Sequence, residues 1–142
     1  MFIENISKAA VLAGKHYDPG PDGVLIQLGD PACIFPEPKF PFKHRYQFEF
    51  LDADEYTQNV PDEAKITMSQ AEEIHKILQD ALDNKRNVVV HCNAGICRSG
   101  AVADVGEMMG FDYAGSYKQP NLLVKHSLMR VMQAYSFTRR KI

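Results

Sequence analysis

The sequence predicts an α/β domain built on a central, mostly parallel sheet flanked by helices, and three features predict it. Two short apolar runs, Val24-Leu25-Ile26-Gln27-Leu28 and Val88-Val89-Val90, read as buried strands. Segments of helical spacing follow or separate them, over 69–84, from Arg98 to Met109 and from Asn121 to Tyr135. Strands that alternate with helices require crossover connections, which is how parallel sheets are made. A loop leaving a central strand then lies at the carboxyl edge of the sheet, where open α/β sheets bind ligands.

Met1 to Leu12 alternates loosely and predicts an opening strand, with Ile6, Ala9 and Ala10 packing inward. Lys15 to Gly23 is turn material, rich in Gly, Pro and Asp. The Val24 run is bounded by Gly23 and Gly29, as a buried strand would be. Asp30 to Phe42 carries Pro31, Pro36, Pro38 and Pro41 and reads as a loop. Its Phe35, Phe40 and Phe42 either line a substrate cleft or pin the loop to the core, and the second reading has more weight. Tyr46, Phe48 and Phe50 alternate on one face of a further strand, which runs into the acidic stretch Asp52-Ala53-Asp54-Glu55 and a loop containing Pro61.

Ser69-Gln70-Ala71-Glu72 has the spelling of a capping box, opening a helix that buries Ala71, Ile74, Leu78 and Ala81. His75 lies near that face and is assigned no role. After Arg98 a helix presents Val102, Val105 and Met109, with Ala101 and Met108 beside them, and Gly110 caps it. Asp112 to Gln119 reads as a connection. Asn121 is an N-cap candidate for a last helix with Val124, Leu128, Val131 and Tyr135 on one face. The tail Arg139-Arg140-Lys141 is a short solvated charge run.

The chain has 142 residues, enough for one domain (1–142) with a real core. Hydrophobic and charged fractions of 45% and 24% are those of an ordinary globular protein. A net charge of -2 gives no global attraction to nucleic acid or acidic membranes, and no apolar run has the length of a membrane span. Three cysteines, without a signal peptide at Met1 to Ala13, argue for a reducing, cytoplasmic setting.

The stretch with chemistry in it is His91-Cys92-Asn93-Ala94-Gly95-Ile96-Cys97-Arg98-Ser99, between the valine strand and a helix. A helix N-terminus offers unpaired N–H groups and the positive end of the dipole. Consecutive loop N–H groups can curl into an anion-binding nest, and Gly95 permits a φ that other residues resist. Arg98 offers a planar fork for two phosphate oxygens. Cys92 at the first position would have its sulfur in that field, which favours thiolate over thiol. A thiolate at the base of an oxyanion nest is suited to attack phosphorus and form a cysteinyl-phosphate. A zinc site from His91, Cys92 and Cys97 is disfavoured, because adjacent His and Cys seldom point at one ion and no further paired ligand motif is present. No metal and no cofactor is expected.

Cys92, Gly95, Arg98 and Ser99, with His91 before them, resemble the HCxxGxxRS signature loop of the cysteine-dependent protein tyrosine phosphatases, and the valine strand before it resembles their dual-specificity branch, prokaryotic and phage forms included. A looser resemblance takes in Phe50-Leu51-Asp52-Ala53-Asp54 and Pro120-Asn121-Leu122-Leu123-Val124, so that the match spans most of residues 24–135. The resemblance implies the phosphatase-like fold with a strand, phosphate loop and helix. It also implies Cys92 as nucleophile and a phosphate cradle from Asn93, Ala94, Gly95, Ile96, Cys97 and Arg98. Ser99 would hydrogen-bond the departing Cys92 sulfur, and His91 would brace the loop by hydrogen bonds without touching substrate.

A poor leaving oxygen must be protonated as the P–O bond breaks, so an acid is required. The family supplies an aspartate from an upstream loop. Asp52, directly after the aromatic strand, ranks first, Asp54 second and Asp62 third, although Asp52 stands 40 residues before Cys92, farther than is typical of the family. The spelling Cys92-x4-Cys97-Arg98-Ser99 also resembles the loop of low-molecular-weight tyrosine phosphatases, whose second cysteine can pair with the nucleophile. For Cys97 that disulfide role and a packing role stay open.

The expected activity is metal-free hydrolysis of phosphomonoesters on a phosphorylated protein partner, phosphotyrosyl first and phosphoseryl or phosphothreonyl second. The alternatives are an RNA 5′-triphosphatase or phosphoinositide phosphatase using the same loop, sulfur or arsenate chemistry, and a phosphotyrosine-binding module with weak catalysis. The loop interior has no Lys or Arg for extra phosphates, which lowers the lipid reading, and the net charge does not favour RNA.

Overall fold

The strands are β1 (Phe2–Ser7), β2 (Val24–Gly29), β3 (His44–Glu49), β4 (Val88–Cys92) and the two-residue β5 (Asp112–Tyr113). They form one sheet in the order β3-β2-β4-β1-β5, and every pairing is parallel. The computed structural model describes residues 1–54 and 56–140, apart from the side chain of Arg140. The expected α/β architecture is therefore present. The valine strand β4 lies between β1 and β2, in register Ser7 with Cys92 and Gln27 with His91. Its position in the middle of the sheet is what three β-branched residues buried on both faces require.

The side chains of β4 alternate between two cores. Val88, Val90 and Cys92 join Ile3, Ile26, Leu28, Phe48 and Phe50 in the larger one, with residues of α2 (Met68–Asp83), α3 (Arg98–Met109) and α4 (Leu122–Arg140). Val89 packs with Ile6, Leu25 and Val11 in a smaller core that includes α1 (Lys8–Ala13). The buried face of α2 consists of the expected Ala71, Ile74, Leu78 and Ala81, together with His75, whose ring lies 5.1 Å from that of Tyr135. Val124 and Leu128 of α4 are fully enclosed.

Several expectations for individual elements need correction. The opening strand stops at Ser7, because the Ser7 hydroxyl accepts the Ala10 N–H at 3.1 Å and caps α1. Ala9 consequently faces solvent, Ala10 is half-buried, and only Ile6 of the three packs fully inward. The capping box of α2 is Thr67 with Gln70, not Ser69 with Glu72. Gln70 N–H donates to Thr67 Oγ1 at 3.1 Å and Thr67 N–H donates to Gln70 Oε1 at 2.9 Å. Tyr46 is exposed because β3 is the sheet edge and the ring lies at an open cleft against α2. Met108 is exposed on α3, and the connection after Gly110 contains β5. The N-cap role of Asn121 holds, since its Oδ1 accepts the Val124 N–H at 3.1 Å. In the basic tail, Arg139 donates to the Tyr135 hydroxyl, while Lys141 and the Arg140 side chain lie outside the described residues.

The proline loop is pinned to the sheet as its heavier reading expects. Buried Gln27 donates to Pro36 O at 2.8 Å and accepts from Arg45 Nε, and Arg45 pairs with Glu37. Phe35 packs on Gly29, Phe40 on Gly14, and Phe42 against the smaller core. None of the three lines the cavity at the end of β4. Among the described residues no helix is long and apolar enough to cross a membrane.

Leu128 sits where α4 packs into the larger core. Leu128→Ala should lower unfolding free energy by about 2–5 kcal/mol, measured by urea denaturation at neutral pH.

Candidate active site

The loop from Asn93 to Cys97 turns its carbonyl groups outward. Asn93 O accepts from Lys8 N–H at 3.2 Å, Gly95 O from Asn5 Nδ2 at 2.8 Å, Ile96 O from Gln119 N–H at 3.1 Å and Cys97 O from Asn121 N–H at 2.9 Å. Among the described residues none of the N–H groups of Asn93 to Cys97 donates within the protein. A backbone with four of its five acceptors used on the outside presents its donors inward, and those donors need an anion or water. Gly95 makes the tight turn with φ +76°, and a Cβ there would strike the Ile6 and Ser7 backbone.

Cys92 ends β4, is 3% exposed and has its Sγ 3.1 Å from the fully buried Ser99 Oγ in the first turn of α3. Arg98, also 3% exposed, donates through Nη1 to Asp30 Oδ1 at 2.8 Å and to Phe50 O at 2.7 Å. Its Nε is buried without a hydrogen-bond partner. Cys92, Arg98, Asn93, Ala94, Cys97, Asp30, Leu51, Asp52, Ala53, Thr57 and Val60 enclose a cavity of 370 Å³. It is not the largest depression on the surface: one of 550 Å³ lies between α2 and α4, away from the loop. The chemistry decides between them, because the smaller cavity alone combines a thiol, an arginine and unpaired N–H donors.

Residues 51–64 form a closed excursion from the end of β3. Leu51 N–H donates to Ala64 O at 2.7 Å, and Gln70 Nε2 holds Glu49 O at 2.9 Å. Asp52 is the second residue of the excursion, near its anchored base, and lines the cavity. Its Oδ1 accepts from Asn121 Nδ2 at 2.7 Å. Asp54 is turned into its own loop, where the Tyr56 N–H and the Thr57 hydroxyl hold its carboxyl below the usual carboxylate range. It lines the neighbouring groove rather than the Cys92 cavity. Asp62 lies in a short 3₁₀ turn, exposed, 3.9 Å from Lys65 Nζ. Of the three aspartates, only Asp52 lies with Cys92 and Arg98.

The His91 ring is buried beneath the loop, against the Cys92 backbone. Burial, reinforced by the nearby Lys8, Arg45 and Arg98 charges, pushes its pKa down to about 4. Cys97 is a half-buried free thiol beside Asp52, and burial first, then the Asp52 carboxylate, pushes its pKa up. Among the described residues no three His, Cys, Asp or Glu side chains gather as a metal site would need.

Three participants escaped the sequence reading. Asp30 is the first residue past β2, and its place at the carboxyl edge of the strand beside β4 was the available signal. Asn5 is buried in β1, with its amide donating to Gly95 O and Tyr117 O and accepting from the Tyr113 hydroxyl. A polar residue inside an apolar strand was its only mark. The contact of Asn121 with Asp52 had no signal beyond its cap position.

Residues 44–105 match the family model described as "Polymorphic toxin system, DSP-PTPase phosphatase". No curated protein matches the chain. The fold is shared with the crystal structure of human DUSP28, at 16% identity and a TM-score of 0.57, covering 96% of this chain and 94% of that one. It is also shared with human tyrosine phosphatase-like serine/threonine/tyrosine-interacting protein, at 19% identity and a TM-score of 0.56, covering 91% and 89%. These comparisons bear out the resemblance to the dual-specificity branch of the cysteine-dependent protein tyrosine phosphatases and the phosphatase-like fold expected from it.

With its folded pKa near 4 against an ordinary value of 6.5, His91 must bind its proton in the unfolded chain first. Its contribution to stability is therefore complete above pH 6.5 and is lost as pH falls from there toward 4, by up to about 1.4 kcal/mol per pH unit. Urea denaturation across that window should show a shallower loss for His91→Asn than for wild type.

Proposed function

We propose that the protein is a metal-independent phosphomonoesterase acting on phosphorylated protein, phosphotyrosyl first, through a cysteinyl-phosphate on Cys92. The observation that carries this reading is the buried Arg98 Nε, without a partner among the described residues, beside a loop whose N–H groups donate to no described residue, with the Cys92 sulfur at the end of the strand below them. Such an arrangement offers its donors to a tetrahedral oxyanion.

In this mechanism Cys92 Sγ attacks phosphorus in line as the P–O bond to the substrate breaks. Arg98 and the N–H groups of Asn93 to Cys97 hold the three equatorial oxygens, where charge spreads in the transition state. Asp52 gives its proton to the leaving oxygen. In the second step the Asp52 carboxylate takes a proton from water, the water oxygen attacks phosphorus, and the S–P bond breaks. The Ser99 hydroxyl donates to the departing sulfur, consistent with their 3.1 Å separation. Asp30 keeps the Arg98 fork oriented while substrate is absent.

The charge of the cavity favours a monoester over RNA 5′-triphosphate or a phosphoinositide. Among the described residues Arg98 is its only cationic lining residue, and Asp30 and Asp52 also line it. Additional phosphates would meet carboxylates instead of bases. Intact Cys92, Arg98 and Ser99 argue against a module that only binds phosphotyrosine.

Cys92→Ser and Arg98→Ala should each remove detectable hydrolysis of p-nitrophenyl phosphate, with the thermal unfolding temperature of Cys92→Ser close to that of wild type and that of Arg98→Ala lowered by the loss of its buried contacts while the chain still folds. Near wild-type turnover by Cys92→Ser in the presence of a chelator would exclude the cysteinyl route. Asp52→Asn should lower kcat for aryl esters of poor leaving groups by about 10²–10⁴-fold and spare activated esters. If Asp54→Asn shows that pattern instead, the acid is Asp54.

A further inference from the structure

The acid assigned to Asp52 needs its proton on the oxygen that meets the leaving group, and a carboxyl at a loop base has two oxygens to choose from. We propose that Asn121 makes that choice, as a positioning residue that holds Asp52 Oδ1 and leaves Oδ2 to carry the transferable proton. This inference rests on the reading of Asp52 as the acid.

The orientation of the Asn121 amide is set from both ends. Its Oδ1 accepts the Val124 N–H at 3.1 Å, so the opposite atom is the NH₂ group. That group spends both hydrogens on the excursion after β3, on Asp52 Oδ1 at 2.7 Å and on Ala53 O at 3.2 Å. The backbone of the same residue donates to Cys97 O at 2.9 Å. One residue therefore connects the first turn of α4, the end of the phosphate loop and the acid loop.

An amide N–H needs the better acceptor, which in a protonated carboxyl is the carbonyl oxygen rather than the hydroxyl oxygen. Donation to Oδ1 therefore favours the proton on Oδ2 without forbidding ionisation, so the same contact serves when Asp52 acts as base in the second step.

Two variants separate this role from capping. Asn121→Ser and Asn121→Asp both keep an oxygen for the Val124 N–H, and both lose the donation to Asp52. For each, kcat on phenyl phosphate should fall about 10- to 100-fold, while kcat on dinitrophenyl phosphate and KM on both esters stay within about threefold of wild type. Asn121→Ser placed on Asp52→Asn should cost nothing further, because the two residues act as one unit. An equal loss on both esters, no loss on phenyl phosphate, or additivity with Asp52→Asn would overturn the inference while leaving the acid itself in place. If Asp52→Asn shows no leaving-group dependence, the acid assignment and this inference are both overturned.

Discussion

The direction of four carbonyl groups is the constraint on which the rest of this site depends. A five-residue loop between a strand and a helix has as many acceptors as donors, and it can present only one set to its interior. Here Lys8, Asn5, Gln119 and Asn121 take the carbonyls of Asn93, Gly95, Ile96 and Cys97 from the outside. The N–H groups are left to face the cavity. Which groups the loop offers to the cavity is thus set by residues on β1, α1 and the segment leading into α4.

That constraint accounts for features of the sheet that have no other evident use. β1 brings Asn5 and the Ile6–Ser7 backbone against Gly95. The short β5 brings Tyr113 to the Asn5 amide and aligns the segment that follows, whose Gln119 and Asn121 complete the outer shell. The His91 ring, buried beside these elements and with its pKa pushed down by that burial, fills the space beneath the loop.

Arg98 couples the loop to the opposite side of the cavity. Its Nη1 reaches Asp30 beyond β2 and Phe50 O beyond β3, so one guanidinium ties three strand ends together. An arginine this deeply buried requires such partners, because an uncompensated charge would be far too costly. The same contacts anchor the base of the excursion that carries Asp52, and with Leu51 N–H on Ala64 O they explain why Asp52 stays at the cavity while Asp54 and Asp62 lie away from it.

Local chemistry was legible in the sequence. β-Branched runs, a capping residue at Asn121 and the spacing from Cys92 to Ser99 each express a rule that operates over a few residues, and each predicted its element. The errors were local too: Ser7 and Thr67 are caps that compete with neighbouring spellings, and hydrogen-bond geometry, not the motif, decides between them. What only the tertiary structure could decide joins residues distant in the chain. Arg98 meets Asp30 across 68 residues, Asn5 meets Gly95 across 90, and Asn121 meets Asp52 across 69. No periodicity encodes such pairs, because they arise when parallel strands bring their carboxyl ends to one edge and every buried polar group there must find a partner.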